Sequence, residues 1–245
     1  TQGVSSAASD VYKRQVRLTG SGLGCPTWPR CTADSLVPTP EMGFHGVIEF
    51  GNRTLTGLVG ILAIIVLVLV WRMRRTRRVL FVLAAIVLGG IIAQALVGGV
   101  TVLTGLNPFI VGFHYVASVS LVCVAAAFLA LMDQPGGERE RVVPRGFAIL
   151  THIATGVLAL TIVFGILTTG AGPHSGDANA GRSGFDAQVL EHVHAWPSYV
   201  LFALTLALVV VAWAKRLPVR GWASALLAIE LVQITVGLYL SLIHI

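Results

Sequence analysis

Apolar residues run along this chain in long blocks, and short stretches between the blocks hold most of its charge. The blocks cover about residues 41–71, 79–103, 109–131, 146–168, 189–213 and 222–240. Each is near the ~20 residues a helix needs to cross a hydrocarbon layer. The pattern predicts an all-α fold, a polytopic membrane helical bundle with six complete spans. Residues 16–44 precede the first block and read as a loop, with Gly20-Ser-Gly-Leu-Gly24, several prolines and two cysteines.

The pattern also repeats. Leu18-Thr-Gly-Ser-Gly22 is echoed by Thr168-Thr-Gly-Ala-Gly172, Glu49-x-x-Asn52 by Glu191-x-x-His194, and Gln94-Ala-Leu-Val-Gly98 by Gln233-Ile-Thr-Val-Gly237. Three echoes in the same order imply two homologous four-helix halves. Six spans then remain of an original eight, one helix lost at each end. Residues 16–131 form the first half and 146–240 the second, joined by a linker at 132–145. Residues 1–15 and 241–245 resemble translated adapter read-through and are set aside as non-native.

Composition agrees. The 245 residues are 55% apolar and 11% charged, with a mean hydropathy of +0.82. Such values mark multi-span membrane proteins rather than soluble domains. The net charge of +6 does not point to nucleic acid, because the basic residues sit in short clusters between blocks, as in cytoplasmic loops. If Arg72-Met-Arg-Arg-Thr-Arg-Arg78 is cytoplasmic, residues 104–108 fall outside and are uncharged. Arg139, Arg141 and Arg145 then fall inside, 169–188 outside, and Lys215, Arg216 and Arg220 inside. Every loop obeys the positive-inside rule. Cys25 and Cys31 are placed outside, where a disulfide can persist.

Polar side chains at a membrane boundary are costly and are usually kept for function. His45, Glu49 and Asn52 share one helical stripe by their spacing, as do Glu191 and His194. His114 opens the third block at similar depth. Histidines at matched depth on different helices can clamp a haem between axial imidazoles. The plainer alternative is that each bridges a neighbouring helix. Glu49 has its own plain alternative, pairing with Arg53 one turn on. Glycines 98, 99, 105, 165 and 170 suit close helix packing. His174 and Asp177 read as solvated loop residues. Glu191 also reaches His152 if their helices meet. The Cys25–Cys31 pair has two readings, a structural disulfide and a labile, redox-active one.

Taken together, Arg17-Leu-Thr-Gly-Ser-Gly-Leu-Gly-Cys-Pro-Thr-Trp-Pro-Arg-Cys31, Ile48-Glu-Phe-Gly-Asn-Arg53, residues 94–108, Phe113-His114 and Glu191-x-Val-His-Ala195 resemble the haem A synthase family. The spacing of the cysteines resembles its bacterial members. The resemblance implies an oxidoreductase of the bacterial plasma membrane. It converts the C8 methyl of haem O to a formyl group, giving haem A for terminal oxidases. It implies a haem b with His194 as one axial ligand, the other lying on the absent last helix. It further implies that His114 contacts the substrate haem and that Glu49 is catalytic. Many members have Glu-x-x-His where this chain has Glu49-x-x-Asn52, so either His114 holds the substrate iron alone or His45 substitutes. Expected partners are haem O, haem O synthase and a second copy of the chain; the electron donor is open. Two competing classes are an electron-transfer cytochrome b, which needs neither Glu49 nor the cysteine loop, and a transporter with broken midplane helices.

Overall fold

The computed structural model describes residues 21–134, 141–172 and 180–243, with side chains through Tyr239. The expectations for residues 1–15, Leu18, Arg139, His174 and Asp177 lie outside the described residues. A 3₁₀ turn, Pro40–Met42, leads into α1 (Gly43–Trp71), followed by α2 (Arg78–Leu103), α3 (Pro108–Met132), α4 (Arg145–Ala171), α5 (Ala187–Ala214) and α6 (Arg220–Ile243). All six are long and apolar enough to cross a membrane, and the described residues contain no strand. The bounds follow the apolar blocks to within about three residues, because charged or proline-bearing stretches separate one block from the next.

The chain divides into two compact units. One holds α1, α2, α3 and residues 166–187; the other holds residues 138–165 and 188–245. In the first unit α2 packs against both α1 and α3. At the Arg72–Arg78 end, Val70, Leu80, Ala84 and Phe128 form a buried cluster. Arg77 caps α3 there, donating to the carbonyls of Leu131 (2.6 Å), Met132 (3.0 Å) and Gln134 (2.7 Å). A cation suits those unsatisfied carbonyls and the negative end of the helix dipole.

At the opposite end, α2 stops in a left-handed turn at Gly105 (φ 61°), the conformation glycine adopts without steric cost. Asn107 then starts α3, its Oδ1 accepting from the Phe109 N–H at 3.0 Å, with Pro108 at the first helical position. Phe185 meets Phe109 edge-on at 6.3 Å between ring centres, and the Gly181 N–H reaches the Gly105 carbonyl. The second unit is pinned near its α5–α6 turn, where Trp213 Nε1 donates to Ser224 Oγ at 2.9 Å.

Candidate functional site

The polar residues at the start of α1 are assembled by the loop before it. Cys25 and Cys31 form a disulfide, and both are fully buried. Gly24 lies so close to α1 that a Cβ there would fall 2.2 Å from the His45 carbonyl oxygen. This approach carries the Cys25 N–H to Glu49 Oε2 at 2.6 Å. Glu49 is only 4% exposed, and its other oxygen accepts from Arg53 at 2.6 Å. Both carboxylate oxygens are therefore acceptors in a charge-assisted network.

Arg53 does more than pair with Glu49. Its Nη2 also donates to the carbonyls of Cys25 (3.1 Å) and Thr27 (2.9 Å), and its Nη1 donates to that of Arg30 (3.0 Å). A planar guanidinium presents five donors in a fixed fork, against three on a lysine ammonium, and so suits this set of acceptors. His45 is exposed on the same stripe, with Nδ1 bonded to Ser21 Oγ at 2.8 Å. Asn52 is half-buried, and its Oδ1 has no hydrogen-bond partner among the described residues. An amide oxygen in that state costs free energy unless something else satisfies it.

His114 sits on α3 against α2, its ring over Gly98: a Cβ at Gly98 would touch Cε1 at 3.5 Å. Gln94 fixes the local backbone, donating to the His114 carbonyl (2.8 Å) and to Ser118 Oγ (2.5 Å). Beside it, the Trp28 ring of the disulfide loop rests on Gly99, where a Cβ would fall 2.5 Å from the ring.

The second unit holds His194. Its ring lies on Gly165, with Cε1 2.9 Å from where a Cβ would stand. Its Nδ1 is 3.0 Å from the Thr161 carbonyl. A carbonyl only accepts, so Nδ1 carries the proton and a neutral ring keeps its lone pair on Nε2. That orientation by a backbone carbonyl is the usual second-shell arrangement for a metal-binding imidazole. Glu191 lies exposed one turn earlier in α5. It does not meet His152: His194 stands level with Thr161, about 13 Å along α4 from His152 by helical rise. His192 turns its Nδ1 to the Gln188 carbonyl at 2.8 Å. Among the described residues no three His, Cys, Asp or Glu side chains gather into a metal site.

Sequence reasoning singled out Glu49, Arg53, His45, His114 and His194 but missed what holds them. The bond from the Cys25 N–H, the Arg53 bonds to loop carbonyls and the Thr161 carbonyl are backbone partners with no signature of their own. Gly98, Gly99 and Gly165 were legible only as packing residues; the structure shows each receiving an aromatic ring.

The fold and these sites define a multi-pass helical membrane protein, with a disulfide-capped carboxylate in one unit and an oriented imidazole in the other. The chain belongs to the COX15-CtaA family of cytochrome oxidase assembly proteins, whose model matches residues 15–245. It is similar to the Heme A synthase of Lysinibacillus sphaericus, 39% identical over 121 residues, which are 48% of this chain and 37% of that relative. The Heme A synthase of Listeria monocytogenes is 32% identical over 149 residues, 60% of this chain and 47% of the relative. That of Oceanobacillus iheyensis is 40% identical over 119 residues, 48% of this chain and 37% of the relative. The chain thus spans less than half the length of the relatives it matches. No solved structure matches it.

Proposed function

We propose that this chain belongs to a haem A synthase, an oxidoreductase that converts the C8 methyl of haem O to a formyl group. The family match over residues 15–245 carries the reading. A bacterial plasma-membrane location follows, with the Arg72–Arg78 loop cytoplasmic and the Cys25–Cys31 loop outside, because this orientation keeps the basic loops inside. In this reading, residues 16–131 form the substrate half and 146–240 the haem b half.

The residues fit the groups assigned to them. His194 would hold a haem b through Nε2, since its Nδ1 is committed to the Thr161 carbonyl. A haem b bound there supplies one-electron chemistry, and its potential responds to ligand and surroundings. Glu191, one turn earlier on α5, belongs to the same haem half. In the first unit His114 would hold the substrate iron. Gln94 steadies the backbone of His114, and Gly98 leaves room for its ring. Asn52 is a poor iron ligand, and its unsatisfied oxygen is suited instead to bonding water or substrate. His45 is tied to Ser21 through Nδ1, so a substitute ligand there would use Nε2. Glu49 would orient water or take a proton beside the reacting methyl. Arg53 and the Cys25 N–H hold its carboxylate in one position.

Pigment extraction tests the reading. Membranes holding the protein and a haem O source should yield haem A or its alcohol intermediate. Haem b alone would instead identify an electron-transfer cytochrome b.

A further inference from the structure

Within the first unit, the disulfide loop is held to α1 and to α2 at two points. Arg53 takes the carbonyls of Cys25, Thr27 and Arg30, which bracket Trp28 on both sides. Trp28 in turn lies on Gly99, the neighbour of the glycine that carries His114. One arginine on α1 thus ties the loop to Glu49, and one glycine on α2, next in sequence to the glycine under the His114 ring, seats its indole. We infer that Arg53 and Gly99 are positioning residues that hold Trp28 beside His114, making the Cys25–Cys31 loop one wall of the substrate site. This rests on the reading of Glu49 and His114 as the substrate side. The chemistry suits it. A flat, apolar macrocycle is held well by an aromatic ring, and Trp28 is the loop's only aromatic side chain between the two cysteines. Gly99 acts because it has no side chain. Any Cβ there must displace the indole, whereas a Cβ at Gly57 meets nothing within 4 Å.

The loop's hold is read directly from the disulfide. Thiol exchange depends on access to the sulfurs, and both cysteines are fully buried. The test uses the membrane-embedded protein with Cys123 replaced by alanine, a hydrophilic phosphine as reductant and maleimide–polyethylene glycol to count freed thiols. Arg53→Gln and Gly99→Ala should speed reduction roughly ten-fold, the scale of losing one or two hydrogen bonds or packing contacts. Gly57→Ala should match the parent. The Gly99→Ala effect should vanish in a Trp28→Ala background, as expected when two residues act through one contact. Reduction rates equal to that of Gly57→Ala overturn the anchoring. In the substrate arm, Gly99→Ala should raise the apparent KM for haem O several-fold with a smaller change in kcat. An unchanged KM overturns the wall. If the parent makes no haem A, the substrate clause falls with the functional reading, while the reduction rates still decide the anchoring.

Discussion

The two units carry the same short pattern and treat it differently. In the first, Glu49 is buried, its carboxylate held by Arg53 and by the backbone of a disulfide loop. In the second, Glu191 stands exposed near the start of α5. Three residues on, the contrast reverses. Asn52 offers an unsatisfied amide oxygen, whereas His194 has its Nδ1 committed to the Thr161 carbonyl, which leaves the Nε2 lone pair as the acceptor. One duplicated spacing can serve a carboxylate in one copy and an imidazole in the other. The environment decides, through a loop that covers the first copy and a neighbouring helix that orients the second. In the proposed assignment the first unit does chemistry and the second holds a redox group.

The largest expected effect lies at Glu49. Glu49→Ala should lower haem A formation by about a hundred-fold or more, the scale of losing a positioned acid–base group, while haem remains bound in membranes. It also leaves the Cys25 N–H without its acceptor and removes the carboxylate partner of Arg53, at a cost of about 1–3 kcal/mol in stability. His194→Ala should remove the low-spin haem signal from the absorption spectrum. If that signal persists, the imidazole does not hold the haem. Asn52→His sharpens the comparison by making the copies alike. It should add a second imidazole to the substrate iron and convert it to a low-spin spectrum; an unchanged spectrum would mean that position 52 does not face the iron. A smaller effect belongs to Gly165→Ala, whose Cβ would press on His194; the expected readout is weaker haem retention during purification, with unchanged helix content. Least affected is Arg77→Ala, which removes a cap from α3. It should cost about 1 kcal/mol in thermal unfolding and leave product formation intact.

The helices were legible because apolar blocks of bilayer length admit few alternatives, and their ends were marked by arginines, prolines and glycines. Cys25 and Cys31 announced their pairing by sharing one short loop. Glu49 and Arg53 were legible as a pair from their one-turn spacing. The rest of the site was not legible, since it is made of backbone. Nothing in Thr27 or Arg30 as residue types says that their carbonyls meet Arg53, and nothing in Thr161 says that its carbonyl turns His194. The glycines are the instructive case. Small residues in membrane helices suggest helix packing, but Gly98, Gly99 and Gly165 seat the rings of His114, Trp28 and His194. Glu191 and His152 failed to meet because helical phase alone does not fix which levels of two helices face each other.

The division of labour between the units is tested most directly by two isosteric substitutions compared side by side. Glu49→Gln and Glu191→Gln proteins would be produced in membranes with the same haem O source, and the pigments extracted and quantified against total haem. The account predicts that Glu49→Gln loses haem A while keeping its haem b, and that Glu191→Gln still makes haem A. Equal loss in both, or loss in Glu191→Gln alone, would contradict it.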